Sequence, residues 1–166
     1  YGKLKSDDYK DDRFKFIEKF IKASDNSLNF NLLGFYNIQP KWNYNFLNEL
    51  MYSKFALNLS RGGPTKYCSS NRIATIMGNG IVPLIDKRVK YQDFFDNDEI
   101  IIYNKVEDLA NKLLSIKDNR KLILKKSKLA KKSYFEYFEN TIVADFIIST
   151  IFNIKNNFKY IWSRWF

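Results

Sequence analysis

Hydrophobic residues along the chain recur at two different spacings, one typical of helices and one typical of strands. In residues 12–24, Phe14, Ile17, Phe20 and Ile21 lie about one helical turn apart, which predicts an amphipathic helix. The same helical spacing continues in the segments 44–53, 72–78, 106–116, 119–138 and 141–154. Short apolar runs predict strands at 29–35, 55–59, 81–85 and 100–103.

The order of these elements predicts the fold class. Strands that alternate with helices favour an α/β domain, with a parallel sheet and helices on both faces. The run 81–85 is apolar throughout, as is typical of a strand buried on both sides. Because a helix comes first, we expect a Rossmann-like sheet that lacks its first strand. We assign residues 1–140 to this domain and residues 141–166 to a C-terminal helix and tail.

Composition supports one folded domain. The chain has 166 residues, of which 45% are hydrophobic and 17% aromatic, enough for a core and too rich in aromatics for disorder. No apolar run approaches the roughly 20 residues of a membrane-spanning helix. The first residues are polar and charged, so we expect a cytoplasmic protein, and attachment to the inner face of the membrane stays open.

The residue types present exclude several kinds of chemistry. The chain has no histidine and one cysteine, Cys68. Cysteine catalysis usually needs a base such as histidine, and structural zinc needs several Cys or His ligands. We therefore expect no metal, no disulfide and no cysteine nucleophile.

The loop after the second predicted strand is the candidate binding segment. It contains glycines, the basic residues Arg61, Lys66 and Arg72, and the helix-capping candidates Ser70 and Asn71. Helix N-termini and arginine side chains both suit phosphate groups, and ligands of α/β sheets bind at the carboxyl ends of the strands. The sequence matches neither a P-loop nor a GxGxxG fingerprint. An anion site and a plain strand-to-helix connection both remain open on this reasoning.

Three consecutive segments resemble a known family. Ser70-Asn71-Arg72 opens a helix, Thr75-Ile76-Met77-Gly78-Asn79-Gly80 ends it, and Ile81-Val82-Pro83-Leu84-Ile85 follows as an apolar strand. This order, and the downstream run from Asp93 to Ile116, resemble the C-terminal half of GT-B glycosyltransferases, especially the spore-maturation-type branch of the family 1-like group. The resemblance covers roughly residues 46–138.

The resemblance implies a nucleotide-sugar substrate, bound in a cleft between two similar domains, and no metal or other cofactor. Arg61, Lys66, Ser70 and Arg72 would then stabilise the diphosphate leaving group, and Gly34 would end a strand near the donor base. Ser60, Asn71 and Thr75 complete the expected substrate-binding set. A general base would come from an N-terminal domain that this sequence lacks, so no catalytic residue is assigned.

Two positions depart from the family pattern. The wider family often has carboxylates at the places of Tyr67 and Thr75, where they reach the donor ribose or sugar. A threonine hydroxyl binds a ribose hydroxyl more weakly than a carboxylate does. The alternative function is therefore a non-catalytic Rossmann-like binding or scaffolding module.

The C-terminal third of the chain suggests further partners. Eight basic residues lie within 117–132: Lys117, Arg120, Lys121, Lys125, Lys126, Lys128, Lys131 and Lys132. An amphipathic helix with a solvated basic face explains them, and binding to an anionic membrane is the alternative. Nucleic acid is disfavoured, since no RRM, KH or zinc pattern is present. We expect residues 141–166 to pack on the missing N-terminal domain, which would leave their aromatic side chains exposed here.

Overall fold

The computed structural model describes residues 12–60, 62–68, 71–155 and 160–164, with the backbone alone at 163 and 164. Six α-helices lie in these residues: α1 (Asp12–Ala23), α2 (Asn43–Met51), α3 (Asn71–Gly78), α4 (Val106–Ile116), α5 (Arg120–Phe138) and α6 (Asn140–Phe152). Three strands lie among them: β1 (Phe55–Leu57), β2 (Val82–Asp86) and β3 (Ile101–Tyr103). Single 3-10 turns occur at Lys87–Val89, Tyr91–Asp93 and Ile161–Arg164.

The three strands form one parallel sheet in the order β1-β2-β3. Asp86 pairs with Tyr103, so β2 and β3 end level, and Leu57 pairs with Leu84, so β1 ends two residues earlier. The helix α3 makes the crossover from β1 to β2. This arrangement confirms the predicted α/β class, a Rossmann-like parallel sheet with flanking helices.

Both faces of the sheet are covered, which explains why β2 is apolar from Val82 to Ile85. Val82 and Leu84 pack in one core cluster with residues of α1 and α4. Ile85 points the other way and packs with residues of α3 and α5. Side chains alternate between the two faces of a strand, so a strand enclosed on both sides needs apolar residues at every position.

The predicted strand at 29–35 is wrong. Residues 29–32 have no regular structure, and the chain then turns through Gly34, whose φ is +83°. Phe30 packs edge-on against Phe20 of α1, with ring centroids 5.2 Å apart. The apolar residue Phe30 of this segment therefore covers α1, and the positive φ at Gly34 ends the extended part of the chain.

The tail aromatics partly contradict the expectation that they would be exposed. Tyr160 and Trp162 are buried, and the ring of Trp162 stacks on Phe138 at 5.2 Å. Phe146 of α6 contacts both tail rings edge-on. Within the described part of 141–166, the exposed large apolar side chains are instead Ile147, Ile148, Ile151, Phe152 and Ile154. Packing of residues 141–166 on another domain stays a prediction.

The described helices differ from membrane-spanning segments in length and hydropathy. None of them combines the length and the apolar character that a bilayer crossing requires.

Candidate functional site

A cleft of about 100 Å³ opens at the carboxyl ends of the three strands. Each strand contributes one residue to it: Asn58 directly after β1, Asp86 at the end of β2, and Tyr103 at the end of β3. We call it the strand-end cleft. Parallel α/β sheets bind their ligands at this edge, because loops of variable sequence meet there on a rigid support.

Helix α1 and two loops form the walls of the strand-end cleft. The first turns of α1 provide Asp12, Arg13 and Phe16. The remaining lining residues follow the strands: Leu59, Ser60, Gly63, Pro64, Arg88 and Val89. The walls therefore combine apolar side chains with charged groups of both signs.

Asp86 and Arg88 form a fixed ion pair on one side of the cleft. The Arg88 guanidinium donates from Nε to Oδ1 at 3.0 Å and from Nη2 to Oδ2 at 2.8 Å. The backbone N–H of Arg88 also donates to Asp86 Oδ1, at 2.9 Å. The hydrogen bond to Asp86 raises the pKa of Arg88 above its usual value, and Asp86 stays engaged in holding the turn after β2.

Arg72 of α3 lies against the rim of the cleft. Its Nη1 donates a hydrogen bond to the carbonyl oxygen of Leu59, which ties the start of α3 to the loop after β1. The side chain keeps contact with solvent, but packing removes part of its hydration. This desolvation, followed by the nearby positive charge of Arg13, lowers the pKa of Arg72 below its usual value.

The two guanidinium groups thus lie close enough for the charge of one to act on the other. Arg13 comes from α1 and Arg72 from α3, so the fold brings together two cations that are far apart in the sequence. Like charges held near each other are unfavourable, and an anion bound between them would relieve the repulsion. This pair adds positive charge at the rim of the cleft.

The structure places some of the predicted binding residues at the strand-end cleft and others away from it. Ser60 lines the strand-end cleft, and Arg72 lies at its rim. Lys66 is exposed, with its Nζ 4.6 Å from the ring centroid of Tyr67, and it does not line the cleft. Gly34 does not line it either. Arg61 and Ser70 lie outside the described residues.

The remaining two predicted residues belong to the first turns of α3. Asn71 is the first described residue of this helix, and its carbonyl oxygen accepts a hydrogen bond from Thr75 Oγ1 at 2.9 Å. The Thr75 hydroxyl proton is therefore used within the helix. A ligand hydroxyl can still donate a hydrogen bond to Thr75 Oγ1. The carboxylate expected at this position would accept a hydrogen bond from the ligand in the same direction.

The loop 62–68 is attached to the turn that follows β2. The backbone N–H of Tyr67 donates to Val89 O at 2.9 Å, and its hydroxyl donates to Asp93 Oδ2 at 2.7 Å. Desolvation, followed by the bond to Asp93, raises the pKa of Tyr67 to about 12. The Tyr91 hydroxyl adds a bond to Cys68 O at 3.2 Å. These bonds fix the loop that carries Gly63 and Pro64 into the cleft wall.

The acidic turn at 93–99 has structural partners. Glu99 accepts hydrogen bonds from Ser133 and from the backbone N–H of Asp96, and Asp98 pairs with Lys125 at 2.6 Å. The turn is thus bonded to the basic helix α5. Among the described residues, no group of three or more Asp, Glu, Cys or His could hold a metal ion.

A second depression lies beside β3. It is more open than the strand-end cleft and is lined by Lys87, Gln92, Asn97, Ile102, Asn104 and Lys112. Lys112 is already engaged there, because its Nζ donates to Ile102 O at 2.8 Å and to Asp108 at 3.0 Å. The strand-end cleft, which is enclosed by three strand ends and α1, is the better candidate for a ligand site.

The sequence analysis missed Arg13, Asn58, Asp86, Arg88 and Tyr103. Three of them could have been found, because Asn58, Asp86 and Tyr103 stand at or next to the ends of predicted strands. Arg13 could not, since its position depends on how α1 packs across the sheet against α4.

Comparison with known proteins adds the family. The model of a family described as glycosyl transferase-like matches residues 13–147. No match was found among curated proteins or among solved structures.

Proposed function

The chain belongs to the glycosyl transferase-like family, and on that premise we propose that it binds the nucleotide-sugar donor of a glycosyl transfer reaction in the strand-end cleft. The observation that supports this most is the approach of Arg13 and Arg72 at the rim of a cleft formed by three strand ends. A nucleoside diphosphate carries the negative charge that such a pair attracts.

The size of the cleft suits part of this ligand. About 100 Å³ is well below the roughly 300–1,000 Å³ of most small-molecule sites, so the described residues enclose one moiety of a nucleotide sugar. The diphosphate would then lie at the rim, against the two guanidinium groups. The sugar would project away from the sheet, toward an acceptor bound by another part of the enzyme.

The chemical contribution of this chain would be electrostatic. When the glycosidic bond of the donor breaks, negative charge develops on the diphosphate that leaves. Guanidinium groups that are already in place stabilise that charge without reorganising during the reaction. The Arg72 guanidinium is held by its hydrogen bond to Leu59 O, so it is positioned before the ligand arrives.

No residue of the cleft is proposed as the general base. Asp86 is the most buried carboxylate there, but both of its oxygens accept hydrogen bonds from Arg88. Both carboxylate oxygens are therefore already engaged in the ion pair. We expect the base that activates the acceptor to come from a second domain.

Isothermal titration calorimetry with UDP, GDP and pyrophosphate tests the proposal. Loss of one charge-assisted hydrogen bond costs about 1.5–3 kcal/mol, which is roughly tenfold or more in affinity. We expect Arg72→Ala and Arg13→Ala each to weaken UDP binding by this amount. Arg120→Ala, which removes an exposed arginine at the start of α5, is the matched control and should bind normally.

Two results would overturn the proposal. One is a wild-type chain that binds none of the three ligands. The other is equal binding by the wild type and by both the Arg13 and the Arg72 variants.

A non-catalytic nucleotide-binding module is the second candidate. It is favoured by Thr75 and Tyr67, which stand where family members often have carboxylates. Hydrolysis of nucleotide sugars by the full-length protein separates the two functions. Measurable release of UDP or GDP supports the transferase, whereas tight binding without turnover supports the module.

A further inference from the structure

The buried hydroxyl group of Tyr103 has no hydrogen-bond partner in the part of the chain that the structure describes. Tyr103 is 1% exposed, and no described residue forms a hydrogen bond with its hydroxyl oxygen. Buried polar groups are almost always hydrogen-bonded, because an unmade bond leaves the cost of desolvation uncompensated. An orphan hydroxyl in a folded protein therefore needs an explanation.

The position of Tyr103 provides one. It is the last residue of β3 and lines the strand-end cleft. Its ring packs in the core cluster of that face and lies 5.6 Å from the ring of Phe16. The ring is thus fixed by its neighbours, and the hydroxyl is the one polar atom of this lining side chain.

The surroundings of the hydroxyl restrict the kind of ligand group that it could bind. Burial and the nearby charge of Asp86 raise the pKa of Tyr103, so the phenol stays protonated and can donate. The Asp86 carboxylate also disfavours a phosphate at this depth. Phe16, Leu59 and Val89 make the adjoining walls apolar. A flat, neutral group with an oxygen acceptor fits these conditions.

We propose that the Tyr103 hydroxyl donates a hydrogen bond to a ring carbonyl oxygen of the nucleobase of the bound donor. The base would occupy the floor of the strand-end cleft, and the diphosphate would extend to Arg13 and Arg72 at the rim. This assignment rests on the proposed function. It makes the cleft selective for bases with a ring carbonyl, such as uracil and guanine, over adenine, which has none.

The test uses the whole chain and the variant Tyr103→Phe, with Tyr160→Phe as the matched control. Both tyrosines are buried, but the Tyr160 hydroxyl already donates to Asp145 and lies outside the cleft. Calorimetry measures the affinity for UDP, ADP and pyrophosphate. Thermal unfolding without ligand gives the Tm of each variant.

We expect Tyr103→Phe to weaken UDP binding about fivefold, the loss of one neutral hydrogen bond, and to leave pyrophosphate and ADP binding unchanged. Its Tm without ligand should equal or exceed that of the wild type, because the variant removes an unsatisfied group. Tyr160→Phe should lower the Tm and leave UDP binding unchanged.

Unchanged UDP affinity in Tyr103→Phe, while the wild type binds UDP, would overturn this assignment alone. An equal loss of UDP and pyrophosphate affinity would also overturn it, since the hydroxyl would then bind phosphate. A loss of ADP affinity equal to the loss for UDP would exclude the ring carbonyl as the partner. If the wild type binds no nucleotide, the proposed function fails and the assignment fails with it.

Discussion

Two glycines in the turn before β2 respond differently to the same substitution. Gly78 is the last residue of α3, and Gly80 forms the turn into β2. We predict that Gly80→Ala lowers the free energy of unfolding and that Gly78→Ala does not. The comparison tests whether this turn positions β2, and with it Asp86 in the cleft.

The expected magnitudes follow from the local geometry. Gly80 has φ of +71°, a conformation that costs a residue with a Cβ about 1–2 kcal/mol. An added Cβ would also lie 3.3 Å from Ser127 Oγ, which donates a hydrogen bond to the carbonyl of Gly80 and so resists displacement. At Gly78 a Cβ meets nothing within 4 Å, and alanine is favoured over glycine in a helix by about 0.5–1 kcal/mol.

Urea unfolding of the wild type and both variants measures the effect. The two alanine variants should differ by about 1.5–3 kcal/mol, the sum of the two contributions. Gly80→Asn should lie between Gly80→Ala and the wild type, because asparagine tolerates positive φ better. Equal stability of the two alanine variants, or a Gly80→Ala variant as stable as the wild type, would refute the reasoning.

Three further predictions concern the loop, the acidic turn and the basic helix. Tyr67→Phe removes the bond to Asp93, so amide hydrogen exchange in residues 62–68 should become faster than in the wild type, while the exposed control Tyr44→Phe should not change it. The hydrogen bond from Lys125 and its charge hold the pKa of Asp98 below its usual value. The pair therefore stabilises the fold fully at pH values above the ordinary aspartate pKa of about 3.9, and this stabilisation is lost as the pH falls through the lowered pKa of Asp98. The Tm of the wild type should therefore exceed that of Asp98→Asn at pH 7 and converge with it in acid; a constant difference would contradict the prediction. If α5 attaches to anionic membranes, co-sedimentation with vesicles should require anionic lipid and decrease as the salt concentration rises. It should also weaken when the exposed residues Lys121, Lys128 and Lys132 are replaced by glutamine. Binding that does not depend on the charge of the lipid would argue against this attachment.

The sequence predicted most of the fold because its patterns are local. The helix at 106–116 has the predicted bounds, since its apolar residues face one side and pack on the sheet. The apolar run at 81–85 differs from β2 by one residue. The segment 29–35 failed because an apolar run also suits a loop that covers a helix, and only the packing of Phe30 on Phe20 distinguishes the two.

The site was less predictable, because it depends on contacts between distant segments. The predicted position, outside the carboxyl ends of the strands, is where the strand-end cleft lies. Apart from Gly34, the predicted residues were drawn from one loop and one helix, whereas Arg13 and Tyr103 reach the cleft from α1 and β3. Whether the Tyr103 hydroxyl has a hydrogen-bond partner depends on all the residues around it. The spacing of residues along the sequence does not indicate this.

Amide chemical-shift mapping of the ¹⁵N-labelled chain during titration with UDP tests most directly whether a nucleotide binds at the strand-end cleft. We predict the largest shifts at 58–60, 86–89 and 103–104, at the ends of the three strands. Largest shifts around Gln92, Asn97 and Lys112, or along α5, would contradict it.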